Sequence, residues 1–167
     1  MREEIGVFEG FEHTIEQIGK NGLLLVAGEK GNPMTIGWGT IGIIWGKPVF
    51  IVLVRPSRYT FKLMEKFSEF SVNVPPDRLN REVAICGSKS GRDADKIKEC
   101  SFTLEKGKMI SVPYIKECLM HYECRTVHKN KVIKTELDEK TVKSYYPGSD
   151  LHTIYFGEIL GVYRAVS

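Results

Sequence analysis

Apolar residues along the chain fall into short blocks divided by polar and glycine-rich joints, and most blocks read as strands. Phe11, Ile15 and Ile18 repeat at helical spacing and predict a short helix over residues 11–19. Leu23–Ala27 is a buried strand. Met34–Trp45 carries β-branched and aromatic residues interrupted by Gly37, Gly39 and Gly42, the mark of bulges, barrel bends or a ligand lying on backbone. Lys47-Pro48 reads as a turn into the apolar strand Val49–Val54, giving an antiparallel hairpin. Ser57 caps a helix running to about Phe67, with Phe61, Met64 and Phe67 on one face. Phe70–Val74 is a strand ended by Pro75-Pro76. Residues 79–98 read as helix in two pieces, broken at Gly87–Gly91. Strands follow over 118–127, 130–136 and 153–165, with a short helix around 138–145. Many strands, few helices and no alternation of strand and helix predict a mainly β, antiparallel barrel. No glycine-rich dinucleotide fingerprint follows a strand, which disfavours a Rossmann unit.

A length of 167 residues fits a single domain, residues 1–167. A chain of this size buries roughly two-thirds of its unfolded surface and needs no disulfide or metal to fold. The 24 basic and 21 acidic residues leave a net charge of +3, too balanced for a nucleic-acid or membrane surface, though a local anion site stays open. The 16 glycines are scattered, as turns require, and form no tether. Cys86, Cys100, Cys118 and Cys124 form no close pair, so reduced thiols and a cytoplasmic setting are expected. Charged residues crowd the first twenty positions, so no secretory signal is expected there, and no apolar run approaches a membrane span. No metal is expected. Along one strand Cys118 and Cys124 lie roughly 20 Å apart, and His121 points to the opposite face.

Three segments carry candidate chemistry. In Asn32–Thr40, small residues on one side of a β segment would let a flat ring lie against backbone; an ordinary hairpin with glycine corners is the alternative. In Arg55–Thr60, two arginines and two hydroxyls sit at a strand-to-helix junction, where unpaired N–H groups attract an anion; a plain cap with solvated arginines is the alternative. Cys86–Lys96 superficially suggests a phosphate loop but lacks the Gly-Lys-Ser/Thr ending, and a surface loop is the alternative.

Together these stretches resemble the flavin reductase-like, FMN-binding split-barrel family, within it the flavoredoxin branch. The matching residues are Asn32-Pro-Met-Thr with Trp38, Arg55-Pro-Ser-Arg-Tyr-Thr60, Phe70-Ser-Val-Asn-Val-Pro75, Cys86-Gly-Ser-Lys-Ser-Gly-Arg-Asp-Ala-Asp-Lys96 and His152-Thr-Ile-Tyr-Phe-Gly-Glu-Ile159. The resemblance implies a six-stranded antiparallel Greek-key split barrel, a homodimer, and noncovalent FMN near the subunit interface. It places Met34, Thr35, Trp38, Gly39 and Thr40 along the flavin ring. Arg55, Ser57, Arg58, Tyr59 and Thr60 would serve the phosphate, and Ser88, Ser90 and Lys96 would close the site. His152 would stand beside the ring as the catalytic residue, with an imidazole that titrates near neutrality. Tyr145–Ser149 matches no pattern of the family.

The function so implied is an oxidoreductase passing electrons through FMN. A flavoredoxin-type electron carrier served by a protein donor and a reductase served by NADH or NADPH both fit. A flavin-free binding module on the same barrel also stays open.

Overall fold

The computed structural model describes residues 1–166. β1 (Arg2–Glu4), α1 (Phe11–Lys20), β2 (Leu23–Ala27), β3 (Asn32–Ile36), β4 (Gly39–Ile44) and β5 (Lys47–Val54) lead into α2 (Tyr59–Lys66) and β6 (Glu69–Val74). Then come α3 (Asn80–Ser88), α4 (Lys96–Glu99), β7 (Leu104–Glu105), β8 (Tyr114–Ile115), β9 (Met120–Lys131), α5 (Glu139–Tyr145) and β10 (Thr153–Ala165). All strand pairs are antiparallel. The main sheet runs β3-β2-β6-β9-β10-β5-β4, with β1 on the far end of β10, and β7 pairs only with β8.

The fold is mainly β with a few helices, as the sequence predicts, but the strand count differs. The main sheet has eight strands, not six, and is not closed. Met34–Trp45 is not one strand. It divides at Gly37-Trp38 into β3, which pairs with β2, and β4, which pairs with β5. The three residues of β1 add an eighth strand because β10, at 13 residues, outruns β5 and leaves its last residues open to a partner. Residues 118–127 and 130–136 do not form separate strands either. β9 continues to Lys131 because β10 pairs with it over its whole length, accommodated by bulges at Phe156/Gly157 and Ile159/Gly161.

The hairpin is present, but its turn is Trp45-Gly46, where φ is +53° and +72°; Lys47 and Pro48 belong to β5. Two successive positive φ angles suit the two-residue turn that matches strand twist. The helix at residues 11–19 is present as α1, yet it buries Thr14 and Gln17 and leaves Phe11 exposed. The two helical pieces at 79–98 and the helix at 138–145 correspond to α3, α4 and α5.

The run of apolar residues in β2 has a simple cause. Leu23, Leu25 and Ala27 face one core with Phe50, Val52, Phe70 and Tyr155. Leu24 and Val26 face a second core with Val83, Cys86, Phe102 and Ile115, supplied by α3 and the 100–118 excursion. Both faces of the strand are covered, so no polar alternation is needed. The second layer also carries the Cys86–Lys96 segment to the sheet edge at β3.

All four cysteines are buried and free. Burial pushes the Cys86 thiol up to about 12 and raises Cys118 and Cys124 as well, so they stay protonated and unreactive at neutral pH. His121 stands on the face opposite Tyr122 and Cys124, which lie in the first core. Among the described residues, no three His, Cys, Asp or Glu side chains are placed to share a metal ion, and no helix is long and apolar enough to cross a membrane.

Candidate functional site

Two cavities meet where β3, the end of β5 and the start of α2 converge. The larger, about 410 Å³, is lined by Met34, Thr35 and Trp38 from the β3–β4 segment and by Leu53, Arg55 and His152. The smaller, about 130 Å³, is lined by Tyr59 and Thr60 of α2 and by Ser90, Arg92 and Lys96. Met34, Ser57 and Arg58 belong to both, so the two form one continuous recess. Three separated sequence segments and His152 therefore converge.

Gly39, Thr40 and Ser88 line neither cavity. At Gly39 a side chain is barred by β5: a Cβ would stand 2.6 Å from the Ile51 carbonyl oxygen. Thr40 is exposed on the edge strand. Ser88 ends α3, and its hydroxyl donates back to the Ala84 carbonyl at 2.9 Å.

The small cavity gathers groups that could meet an anion. It lies against the N-terminus of α2, whose first N–H groups have no helical acceptor. Ser57 is not the cap. Arg58 holds that position without a side-chain bond, and the Ser57 hydroxyl donates to Asp150 Oδ2 at 2.6 Å instead. Arg58 donates one hydrogen bond to the Gly87 carbonyl at 2.7 Å, which fixes its guanidinium at the cavity. Thr60 is buried, and its hydroxyl accepts from the Asn32 amide at 2.9 Å.

Lys96 decides the character of the pocket. It is 3% exposed and takes part in none of the ion pairs among the described residues. Burial holds its pKa below the ordinary lysine value; the neighbouring Cys86 opposes the shift, and the Arg58 charge adds to it. A buried ammonium without a counter-charge is costly, and among the described residues none is placed to match it.

The ring-sized cavity is walled by aromatic groups. Trp38 packs edge-on to Tyr145 at 5.1 Å between ring centres and leans on His152 at 5.0 Å. His152 is 9% exposed, and its Nδ1 is 2.8 Å from the Tyr146 hydroxyl. Burial lowers its pKa to about 4, helped by Arg55 and Arg58 and opposed by Asp150. The expectation that His152 titrates near neutrality is therefore corrected: it is a neutral imidazole. When the Tyr146 hydroxyl donates to Nδ1, the ring proton sits on Nε2.

Residues that the sequence did not single out hold this wall in place. Arg55 donates to the Asp150 carbonyl at 2.5 Å and the Tyr145 carbonyl at 2.9 Å, and its guanidinium lies 5.1 Å from the centre of the Tyr146 ring. The Asp150 carboxylate also accepts the Ser57 N–H at 3.3 Å. Arg55 and Ser57 thus anchor the loop after α5. Nothing local marked Tyr145, Tyr146 or Asp150, and the only available signal was their closeness in sequence to His152.

A lowered histidine pKa sets a pH dependence. The unfolded chain takes up the His152 proton near pH 6.5, whereas the folded protein resists it down to about 4. Stability contributed by the neutral ring is full above pH 6.5 and is lost as pH falls towards 4, a loss of about 2–3 kcal/mol. His152→Phe should be correspondingly less destabilised between pH 7 and 4.5, as measured by urea unfolding. Equal losses in the two proteins would mean that His152 is freely solvated.

The family model for the flavin reductase-like domain matches residues 19–166. The chain belongs to the flavin reductase-like family. An uncharacterised protein of Archaeoglobus fulgidus is 36% identical over 140 residues, covering 83% of this chain and 69% of the relative. One of Pyrococcus abyssi is 36% identical over 98 residues, covering 58% of this chain, which spans about half, 55%, of that relative. Among solved structures, flavoredoxin from Methanosarcina acetivorans superposes with a TM-score of 0.67 at 28% identity, covering 86% of this chain and 67% of its own. This flavin reductase-like fold, with its open eight-stranded sheet, frames both cavities.

Proposed function

We propose that the chain binds FMN noncovalently in this recess and serves as a flavoredoxin-type oxidoreductase, passing electrons from a nicotinamide nucleotide or a protein donor. The buried Lys96 without a counter-charge carries the reading. With Arg58 and the N-terminus of α2 it makes a pocket whose charge calls for a phosphate, next to a cavity of ring size. The donors fit the group: Arg58, Lys96, Tyr59, Thr60 and Ser90 would hold the phosphate end, while Ser57, whose N–H and hydroxyl are given to Asp150, would not; Met34, Thr35, Trp38 and His152 would border the ring. When bound, FMN supplies the redox chemistry, exchanging a hydride or single electrons at its ring.

The chain's own contribution is orientation and a water-poor, positively charged surround. Neutral His152 offers a hydrogen bond without adding charge, and Arg55 holds the aromatic wall closed. Gly39, Thr40 and Ser88 would act through backbone shape rather than by touching the ligand.

A homodimer belongs to the same reading. Ile51 and Leu53 of β5 and Ile154 and Phe156 of β10 are paired on the outer sheet face, beside Trp45, which is 62% exposed. Leu53 also lines the ring cavity, so a second copy on this face would border the recess.

The test is titration with FMN and riboflavin by flavin fluorescence. FMN should bind near one per subunit and at least tenfold more tightly than riboflavin. Arg58→Ala should weaken FMN ten- to a hundredfold, as the loss of a hydrogen bond to a charged group, about 1.5–3 kcal/mol, dictates, and leave riboflavin nearly unchanged. Equal affinity for the two flavins would remove the phosphate pocket from the reading. Light scattering of the same sample should give twice the subunit mass, and a monomer that retains flavin would remove the dimer. Anaerobic mixing with NADH and NADPH separates a reductase, which bleaches rapidly, from a carrier, which does not.

A further inference from the structure

Tyr145–Ser149, the stretch that matches no pattern of the family, brings Tyr146 against His152. Tyr146 is held on several sides. It follows α5, its backbone N–H donates to the Val142 carbonyl at 2.9 Å, Trp38 packs edge-on to its ring at 6.4 Å, and the Arg55 guanidinium lies 5.1 Å from the ring centre. His152 is fixed through its backbone, whose carbonyl accepts the Val132 N–H at 2.9 Å.

The position of the protons follows from these contacts. The Tyr146 hydroxyl has one partner among the described residues, His152 Nδ1 at 2.8 Å. When the phenol donates, its proton is satisfied and the imidazole proton sits on Nε2. The reverse bond would leave a phenol proton without an acceptor among those residues, on a side chain that is only 4% exposed. Nε2 itself has no partner among the described residues and is not sealed in; His152 lines the ring cavity, so Nε2 opens on it. The hydroxyls lining that cavity are already spent. Thr35 donates to the Val83 carbonyl at 2.5 Å and Ser57 to Asp150 at 2.6 Å. His152 Nε2–H is a donor that those hydroxyls do not supply.

We propose that Tyr146 is a positioning residue: its phenol locks His152 as the Nε2–H tautomer, so that the imidazole donates a hydrogen bond to a carbonyl oxygen of the ring bound beside it and favours the ring's reduced state. The physical reason is charge. Reduction of a flavin adds negative charge that its carbonyl oxygens share, and a fixed donor aimed at one of them in a water-poor site stabilises that charge. Arg55, standing over the Tyr146 ring, favours release of the phenol proton towards Nδ1 and so strengthens the lock. The proposal rests on the flavin reading of the recess and names the residue that tunes the site's reduction potential.

The experiment has two parts. The first follows His152 by nitrogen-15 NMR in flavin-free protein between pH 7 and 4, with its signal assigned by its loss in His152→Gln. In wild type at neutral pH the proton should be on Nε2 and absent from Nδ1. Tyr146→Phe keeps the ring and removes the hydroxyl, and it retains Arg55, Arg58 and Asp150, the charged groups that act on His152. There the His152 pKa should rise from about 4 towards 6.5, because the lost bond favoured the neutral imidazole. If Nδ1 were the donor, the same substitution would lower it. A pKa that falls or stays, or a proton on Nδ1 in wild type, overturns the inference. The second part measures the midpoint potential of bound FMN. Tyr146→Phe should bind FMN within threefold of wild type, while its preference for the reduced form falls five- to tenfold, roughly 20–30 mV for a two-electron couple. A preference that changes less than twofold overturns the inference. If Tyr146→Phe does not fold, the wild-type nitrogen signals decide alone. FMN that fails to bind wild type defeats the flavin reading, and the nitrogen signals still decide the tautomer.

Discussion

Lys96→Met is expected to weaken FMN binding ten- to a hundredfold and, in the same protein, to raise the melting temperature of the flavin-free form. The two effects have one cause. Lys96 is 3% exposed and has no ion-pair partner among the described residues, so its ammonium is a desolvated charge that those residues do not balance. Its pKa is lower folded than unfolded, so below the unfolded value near 10.5 the unfolded chain holds the proton more firmly and folding loses stability at neutral pH. Methionine has a similar length and no charge, and relieves that cost; about 1–2 kcal/mol would appear as roughly 2–8 °C in Tm. An anionic ligand would lose a charge-assisted contact worth about 1.5–3 kcal/mol. Calorimetry gives the first quantity and fluorescence titration the second. FMN affinity unchanged within twofold would show that the ammonium does not face the ligand.

The second large effect concerns Glu123, which is fully buried on β9. Its carboxylate accepts the backbone N–H groups of Lys108 at 2.9 Å and Met109 at 2.6 Å, and its Oε1 is 3.1 Å from His121 Nε2. These bonds pin the 100–118 excursion, which carries Ile110, Val112 and Ile115 of the second core. Glu123→Ala should cost about 3–5 kcal/mol, since it strands two part-buried N–H groups and a fully buried histidine that stacks on Tyr114 at 3.8 Å. In thermal melts that is a drop of roughly 6–20 °C. A change below about 2 °C would mean that water satisfies the stranded groups.

Acid should reproduce part of the Glu123→Ala effect. Burial pushes the Glu123 pKa up, but the bonds from His121, Lys108 and Met109 outweigh it and leave the pKa below the carboxylate value of 4.5. The stabilisation from Glu123 is therefore present above pH 4.5 and is lost as pH falls through the folded value. His121, whose pKa burial lowers, adds a loss beginning higher, below pH 6.5, because the unfolded chain protonates first.

Much of the molecule was legible in the chain itself. The blocks at Leu23–Ala27, Val49–Val54 and Phe70–Val74 are strands, because runs of branched and aromatic residues fit a pleated, buried surface wherever they lie. The segments around Met34, Arg58 and Lys96 identified the family because each keeps its own short pattern, and local patterns survive in sequence. What the tertiary structure decided was non-local. Whether Met34–Trp45 is one strand or two depends on β2 and β5 standing on either side of Gly37-Trp38. The unbroken course of β9 depends on β10, joined to it through α5. Ser57 reads as a helix cap only until Asp150, 93 residues away, takes its hydroxyl. The neutrality of His152 and the unmatched charge of Lys96 follow from burial by segments distant in sequence. Residue type and spacing fix which groups are available. The desolvation that sets their charge depends on what packs over them, and only the assembled fold determines that.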